Sequence, residues 1–76
     1  MITRKYIKSK KELGKNLKKA RIKSGISQEA VSKLTNLNRS SISYYESGVN
    51  IPNIFILIKL MRIYKINIDD LILIKK

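Results

Sequence analysis

A chain of 76 residues, 43% of them hydrophobic, can bury one small core, so a single folded domain is expected. It has no cysteine and no histidine, and its only side-chain carboxylates are Glu12, Glu29, Glu46, Asp69 and Asp70. That set argues against disulfides, the common zinc ligands, thiol nucleophiles and a histidine base, and no catalytic residue, metal site or cofactor is expected. The formal charge is +12, and residues 1–26 carry ten Lys or Arg against Glu12 alone; such a field attracts nucleic acid, an anionic membrane or an acidic protein alike.

Residues 1–8 mix basic and apolar types without a period and read as a basic N-terminal arm, with residues 9–76 as the domain. Ser9-Lys10-Lys11-Glu12 matches a capping box. Leu13, Leu17, Ala20 and Arg21 then recur at spacings of three and four, which predicts a first helix ending at Gly25 in a left-handed stop, with Ile26 folding back on it. Ser27 is the N-cap of a second helix whose apolar positions are Ala30, Val31 and Leu34. Asn36 tolerates positive φ and makes the sharp turn, after which Leu37 tucks inward. Asn38 caps a third helix with Ile42 and Tyr45 inside and Gly48 at its end; Arg39, Ser40, Ser43, Tyr44 and Ser47 form its polar face.

Asn53, following Pro52, caps a fourth helix with Ile54, Leu57, Ile58, Met61 and Tyr64 as the predicted inner stripe. Asn67 caps a short fifth helix, with Asp69 and Asp70 at the positive end of its dipole and Leu71, Ile72 and Ile74 as apolar residues. The isoleucine-rich runs 51–58 and 71–74 do not alternate as strands would, so the fold class is all-α with five helices. No run is long enough for a membrane span, since 51–61 is interrupted by Pro52, Asn53 and Lys59, and the start MITRKYIK lacks the apolar core of a secretory signal. A soluble cytoplasmic protein is expected.

Two short helices hinged at Thr35-Asn36-Leu37, the second opening with an outward Arg-Ser-Ser cluster, have the pattern of a helix-turn-helix reader over about residues 28–47. The matching residues are Leu13-Gly14, Arg21, Gly25-Ile26-Ser27-Gln28, Val31, Leu37-Asn38-Arg39-Ser40, Ile42-Ser43, Glu46-Ser47-Gly48, Pro52 and Ile66-Asn67-Ile68-Asp69-Asp70-Leu71. In this order and spacing, over residues 13–71, the chain resembles the Cro/CI-type helix-turn-helix repressors of phages and bacteria. It departs from their usual pattern at Ser32 and Asn36, where alanine and glycine are frequent, and at Tyr44 and Tyr45.

The resemblance implies a compact, five-helix, lambda-repressor-like domain that binds double-stranded DNA and regulates transcription. It implies a phosphate bond from Gln28, base-edge contacts from Arg39, Ser40 and Tyr44, and a structural ion pair of Arg21 with Glu46. The expected DNA-contact set is Gln28, Asn38, Arg39, Ser40, Ser43, Tyr44, Ser47 and Asn50, with backbone N–H groups of the loop 47–50 offered to a phosphate. Blander readings stand beside these: Gln28 as a good first-turn residue, Arg39 on a phosphate rather than forked onto guanine, and the serines as filler of a solvated helix.

On the fourth helix Phe55, Ile56 and Ile63 fall away from the predicted inner stripe, and with Ile72 and Ile74 they are the expected homodimer interface. The alternative is a wider core in which Tyr6 and Ile7 cover them. A C2 dimer would set two recognition helices about 34–36 Å apart on a palindromic operator. Arg4, Lys5, Lys8, Lys10 and Lys11 fit either a flexible arm on the DNA backbone or a solvated tail. The expected function is a sequence-specific regulator, a repressor first. A restriction-modification controller or an antitoxin has the same head, the antitoxin with a toxin on its apolar patch. Another protein partner such as an anti-repressor, or a basic adaptor without nucleic acid, completes the alternatives.

Overall fold

The computed structural model describes residues 5–74, so Arg4 and the rest of 1–4, and residues 75–76, lie outside the described range. Five helices follow in chain order: α1 (Lys10–Lys23), α2 (Gln28–Thr35), α3 (Arg39–Ser47), α4 (Ile54–Tyr64) and α5 (Ile68–Ile72). Four of them start on a side-chain oxygen that takes an otherwise orphaned backbone N–H: Ser9 from Glu12, Ser27 from Ala30, Asn53 from Ile56 and Asn67 from Asp70. Asn67 and Asp70 form a complete capping box. At α1 the reciprocal bond shifts by one residue, Glu12 Oε1 accepting from Lys8 N at 2.9 Å. Asn38 occupies the N-cap of α3 but makes no side-chain cap bond, which corrects its expected capping role; its backbone carbonyl closes the first turn through Ser41 N at 3.0 Å and the amide is exposed.

Four helix ends reverse through a left-handed residue: Gly25, Asn36, Gly48 and, unforeseen, Lys65 at φ 55°. In each, the next N–H bonds back five positions, Ile26 to Arg21, Leu37 to Ser32, Val49 to Tyr44 and Ile66 to Met61.

Leu17, Val31, Ile42, Leu60, Tyr64 and Leu71 form the buried core, with at least one residue from every helix. The inner face of α4 differs from the predicted stripe. Leu60 and Tyr64 are buried, Ile56, Leu57, Met61 and Ile63 pack against the core, and Ile54 and Ile58 are exposed. Ile56 and Ile63 are thus corrected from surface to core-packing residues, and so is Ile72; Phe55 and Ile74 stay on the surface. The physical reason is that α4 is apolar on nearly every side, so its own periodicity does not choose the buried arc.

Part of the expected arm is folded. Ile7 N donates to Ile72 O at 2.7 Å and Ile74 N to Lys5 O at 2.9 Å around an antiparallel bridge of Tyr6 with Leu73. This pairing keeps residues 73–74 extended where helix was expected. Asn16 Nδ2 adds bonds to Leu71 O at 2.6 Å and Leu73 O at 3.2 Å, fastening α1 to the end of α5. Where α1 crosses the end of α3, Gly14 is bare: a β-carbon there would lie 2.6 Å from Glu46 O, so only glycine permits the approach. Among the described residues no helix is long and apolar enough to cross a membrane.

Candidate nucleic-acid interface

The turn between α2 and α3 is tied from both sides. Thr35 Oγ1 donates to Val31 O at 2.8 Å, and the Ser32 hydroxyl donates to Leu37 O, which gives the serine found in place of alanine a structural task. With Ile42 buried and Tyr45 against the core, α3 leaves Arg39, Ser40, Ser43 and Tyr44 exposed. Gln28 joins these four in lining a shallow cleft between the start of α2 and α3, and a second cleft beside it is lined by Arg21, Ser27, Gln28, Glu29 and Arg39. Asn38, Ser47 and Asn50 are exposed at the two ends of α3 and lie outside that cleft. Arg39 is the one cation in the eight-residue set, so the face is rich in hydroxyl and amide groups rather than in charge.

The loop 47–50 differs from expectation. Gly48 N donates to Tyr45 O, and Val49 N and Asn50 N both donate to Tyr44 O at 2.9 and 3.3 Å, so these N–H groups are spent on closing α3. What the loop presents is the Asn50 side chain and Lys10, whose Nζ reaches Val49 O at 3.3 Å.

Behind the reading face sits the expected ion pair. Arg21 Nε donates to Glu46 Oε2 at 2.6 Å and Nη2 to Oε1 at 3.2 Å, while Nη1 holds Ile26 O at 2.8 Å. The hydrogen bond to Glu46 raises the Arg21 pKa above its ordinary value, against desolvation that lowers it. Gln28 Nε2 donates to Glu46 Oε1 at 3.0 Å, a bond not anticipated from the sequence, and it draws the expected phosphate anchor into the brace. Tyr64, buried next to this group, has its phenol pKa pushed up to about 12, mainly by burial and further by the Glu46 charge.

The helix-turn-helix family model HTH_3 matches residues 17–71. The chain belongs to this helix-turn-helix family. It is 35% identical over 60 residues to the HTH-type transcriptional regulator ImmR of Bacillus subtilis (strain 168), covering 79% of this chain and 47% of that protein, so it spans about half the length of that relative. Among solved structures, it superposes on the restriction-modification controller protein C.AhdI from Aeromonas hydrophila with a TM-score of 0.74 at 27% identity, covering 82% of this chain and 94% of that one. The clp gene regulator ClgR from C. glutamicum shares the fold at a TM-score of 0.77 and 15% identity, over 87% and 85% of the two chains.

In this helix-turn-helix chain, Gln28, Arg39, Ser40, Ser43 and Tyr44, all named from the sequence as DNA-contact candidates, line one cleft. The tie from Gln28 to Glu46 was missed because the two are 18 residues apart and no local pattern links them. Its one signal was indirect: an Arg21–Glu46 pair beside the start of α2 puts a carboxylate within reach of Gln28.

Proposed function

We propose that the chain is a DNA-binding transcriptional regulator that lays α3 in the major groove of an operator. The observation that carries this reading is the exposed row Arg39, Ser40, Ser43 and Tyr44 on a helix whose other side, Ile42 and Glu46, is buried. Side chains so held can meet base edges while the domain stays rigid. The backbone N–H groups of Gln28 and Glu29, at the open N-terminus of α2, suit a phosphate, and Asn38, Ser47, Asn50 and Lys10 suit neighbouring phosphates at the ends of α3.

The chain acts as a homodimer on a palindromic site, in the cytoplasm and on the nucleoid. Its interface is the exposed apolar surface of Ile51, Ile54, Phe55 and Ile58, in place of the inward Ile56 and Ile63. The expected activity is repression or control of a nearby promoter, a role that the controller neighbour supports by likeness. The test is enrichment of duplexes from a random library, followed by gel shift across a salt titration. A palindromic sequence retained at salt that releases random DNA is the expected result; no preference at any salt rejects the reading.

A further inference from the structure

We infer that the cleft where the ends of α1 and α4 meet α5 is a binding site for a small phosphate ester, with Lys19, Lys23 and Lys65 taking the phosphate. The cleft holds about 470 Å³, within the range of roughly 300–1,000 Å³ usual for small-molecule sites. Lys19 and Lys23 stand four residues apart on one face of α1, and Lys65 comes from the turn that ends α4. Among the described residues none of these three ammonium groups has a hydrogen bond or an ion pair within the chain. Three cations against the single carboxylate of Asp70 leave the cleft positive. Lysines act on phosphate as point charges, and three of them around one hollow suit the nearly doubly charged phosphate of an ester better than a singly charged carboxylate.

The walls are tied together before any ligand arrives. The Ser24 hydroxyl lies 2.9 Å from Ala20 O and 3.2 Å from Tyr64 O, bridging the last turns of α1 and α4, while Asn16 Nδ2 fastens α1 to Leu71 O and Leu73 O. Lys65 is left-handed at φ 55°, where the other three turns use Gly25, Asn36 and Gly48. A lysine is more strained there than glycine or asparagine, and what it adds is a cation at the cleft. Acceptors stand beside the lysines. Asn16 has spent its amide nitrogen on backbone, so the polar atom it can offer is its carbonyl oxygen, and the Asp70 carboxylate, which takes Asn67 N at 3.0 Å, has further lone pairs. These suit the hydroxyl groups of a ligand, and Ala20 and Ile66 suit its carbon chain. The cleft shares no described residue with the two clefts at the reading face, so the inference stands apart from the DNA reading, and ester and duplex can be held at once.

The test is an NMR titration of the full chain with ribose 5-phosphate, with inorganic phosphate and with ribose, at about 0.15 M salt, where long-range attraction to a basic chain is screened. Saturable, one-to-one shifts are expected from ribose 5-phosphate at the amides of Lys23, Ser24, Lys65 and Ile66, with weaker binding of phosphate at the same amides and none of ribose. The double variant Lys19→Gln with Lys65→Asn is expected to lower that affinity about tenfold, and asparagine keeps the left-handed turn so the fold survives. Lys15→Gln with Lys18→Gln removes the same charge from exposed positions of α1 outside the cleft and is expected to change affinity less than about twofold. Equal weakening in the two double variants, or shifts spread over lysines throughout the chain, would show general attraction to a basic protein and overturn the inference. Phosphate binding as tightly as ribose 5-phosphate would mean an adventitious ion only and overturn it too, as would the absence of saturable binding.

Discussion

Arg21 on α1 grips both carboxylate oxygens of Glu46 on α3 while its remaining nitrogen holds Ile26 O, so one residue pair ties three segments of the chain together. The two side chains are 12% and 4% exposed, which places the pair among buried ion pairs whose rupture strands a charge. Arg21→Ala or Glu46→Ala is expected to cost about 3–5 kcal/mol of unfolding free energy. The double variant Arg21→Met with Glu46→Leu is expected to recover most of that loss, because no charge is left without a partner. Urea denaturation of the three variants checks this, and a double variant as weak as the singles would contradict it.

Gly14 and Gly25 separate two reasons for a glycine. At Gly14 an added β-carbon meets the backbone carbonyl of Glu46, which cannot turn aside. At Gly25 the space is open and only the positive φ opposes a side chain. Gly14→Ala is expected to cost about 1–3 kcal/mol and to weaken DNA binding by displacing the end of α3. Gly25→Ala is expected to cost roughly 1 kcal/mol and to leave DNA affinity unchanged. Thermal unfolding together with gel shift compares the two.

Four of the helix starts and three of the stops were legible in the sequence because each depends on a cap residue and its near neighbours, as at Ser27, Asn53, Asn67 and Gly48. The phase of α4 was not, since Ile54, Phe55, Ile56 and Leu57 place apolar groups in every direction and the buried arc is chosen by distant elements. Lys65 shows a related limit. A lysine carries no signal for left-handed backbone, and only the packing of Ile66 after the turn requires that conformation there. Within the site, the outward row on α3 followed from helical spacing. The inward bond of Gln28 and the spent N–H groups of Val49 and Asn50 depended on the folded arrangement.

The phenol of Tyr64 gives the fold a signature in alkali. Its pKa rises from an ordinary value of 10.0 to about 12 on folding, chiefly through burial. Below pH 10 the group is protonated in both folded and unfolded chains and stability is independent of it. As pH rises from 10 toward 12, the unfolded chain releases the proton first, so stability falls by about 2–3 kcal/mol and then levels. Denaturant titrations at successive pH values, with Tyr64→Phe as the control lacking this group, are expected to show a steeper alkaline loss in wild type.

Phe55 and Ile56 are adjacent on α4 and are expected to respond in opposite ways to the same substitution. Phe55 is 76% exposed and lies beside the other exposed residues Ile54 and Ile58, whereas Ile56 packs against the core. Full burial of a large apolar side chain contributes about 1.5–3 kcal/mol, so several of them on each subunit can offset the roughly 4–15 kcal/mol cost of association and support a dimer. Phe55→Lys removes one such contribution and sets two like charges against each other across a C2 axis, without disturbing the monomer core. It is expected to give a stable monomer by sedimentation, with weaker binding to a full palindrome and unchanged binding to a half-site. Ile56→Lys forces a charge into packed apolar surroundings and is expected to lower the unfolding midpoint first, with any loss of dimer following from loss of fold. If wild type sediments as the proposed dimer, a Phe55→Lys protein of the same mass would remove this face of α4 from the interface.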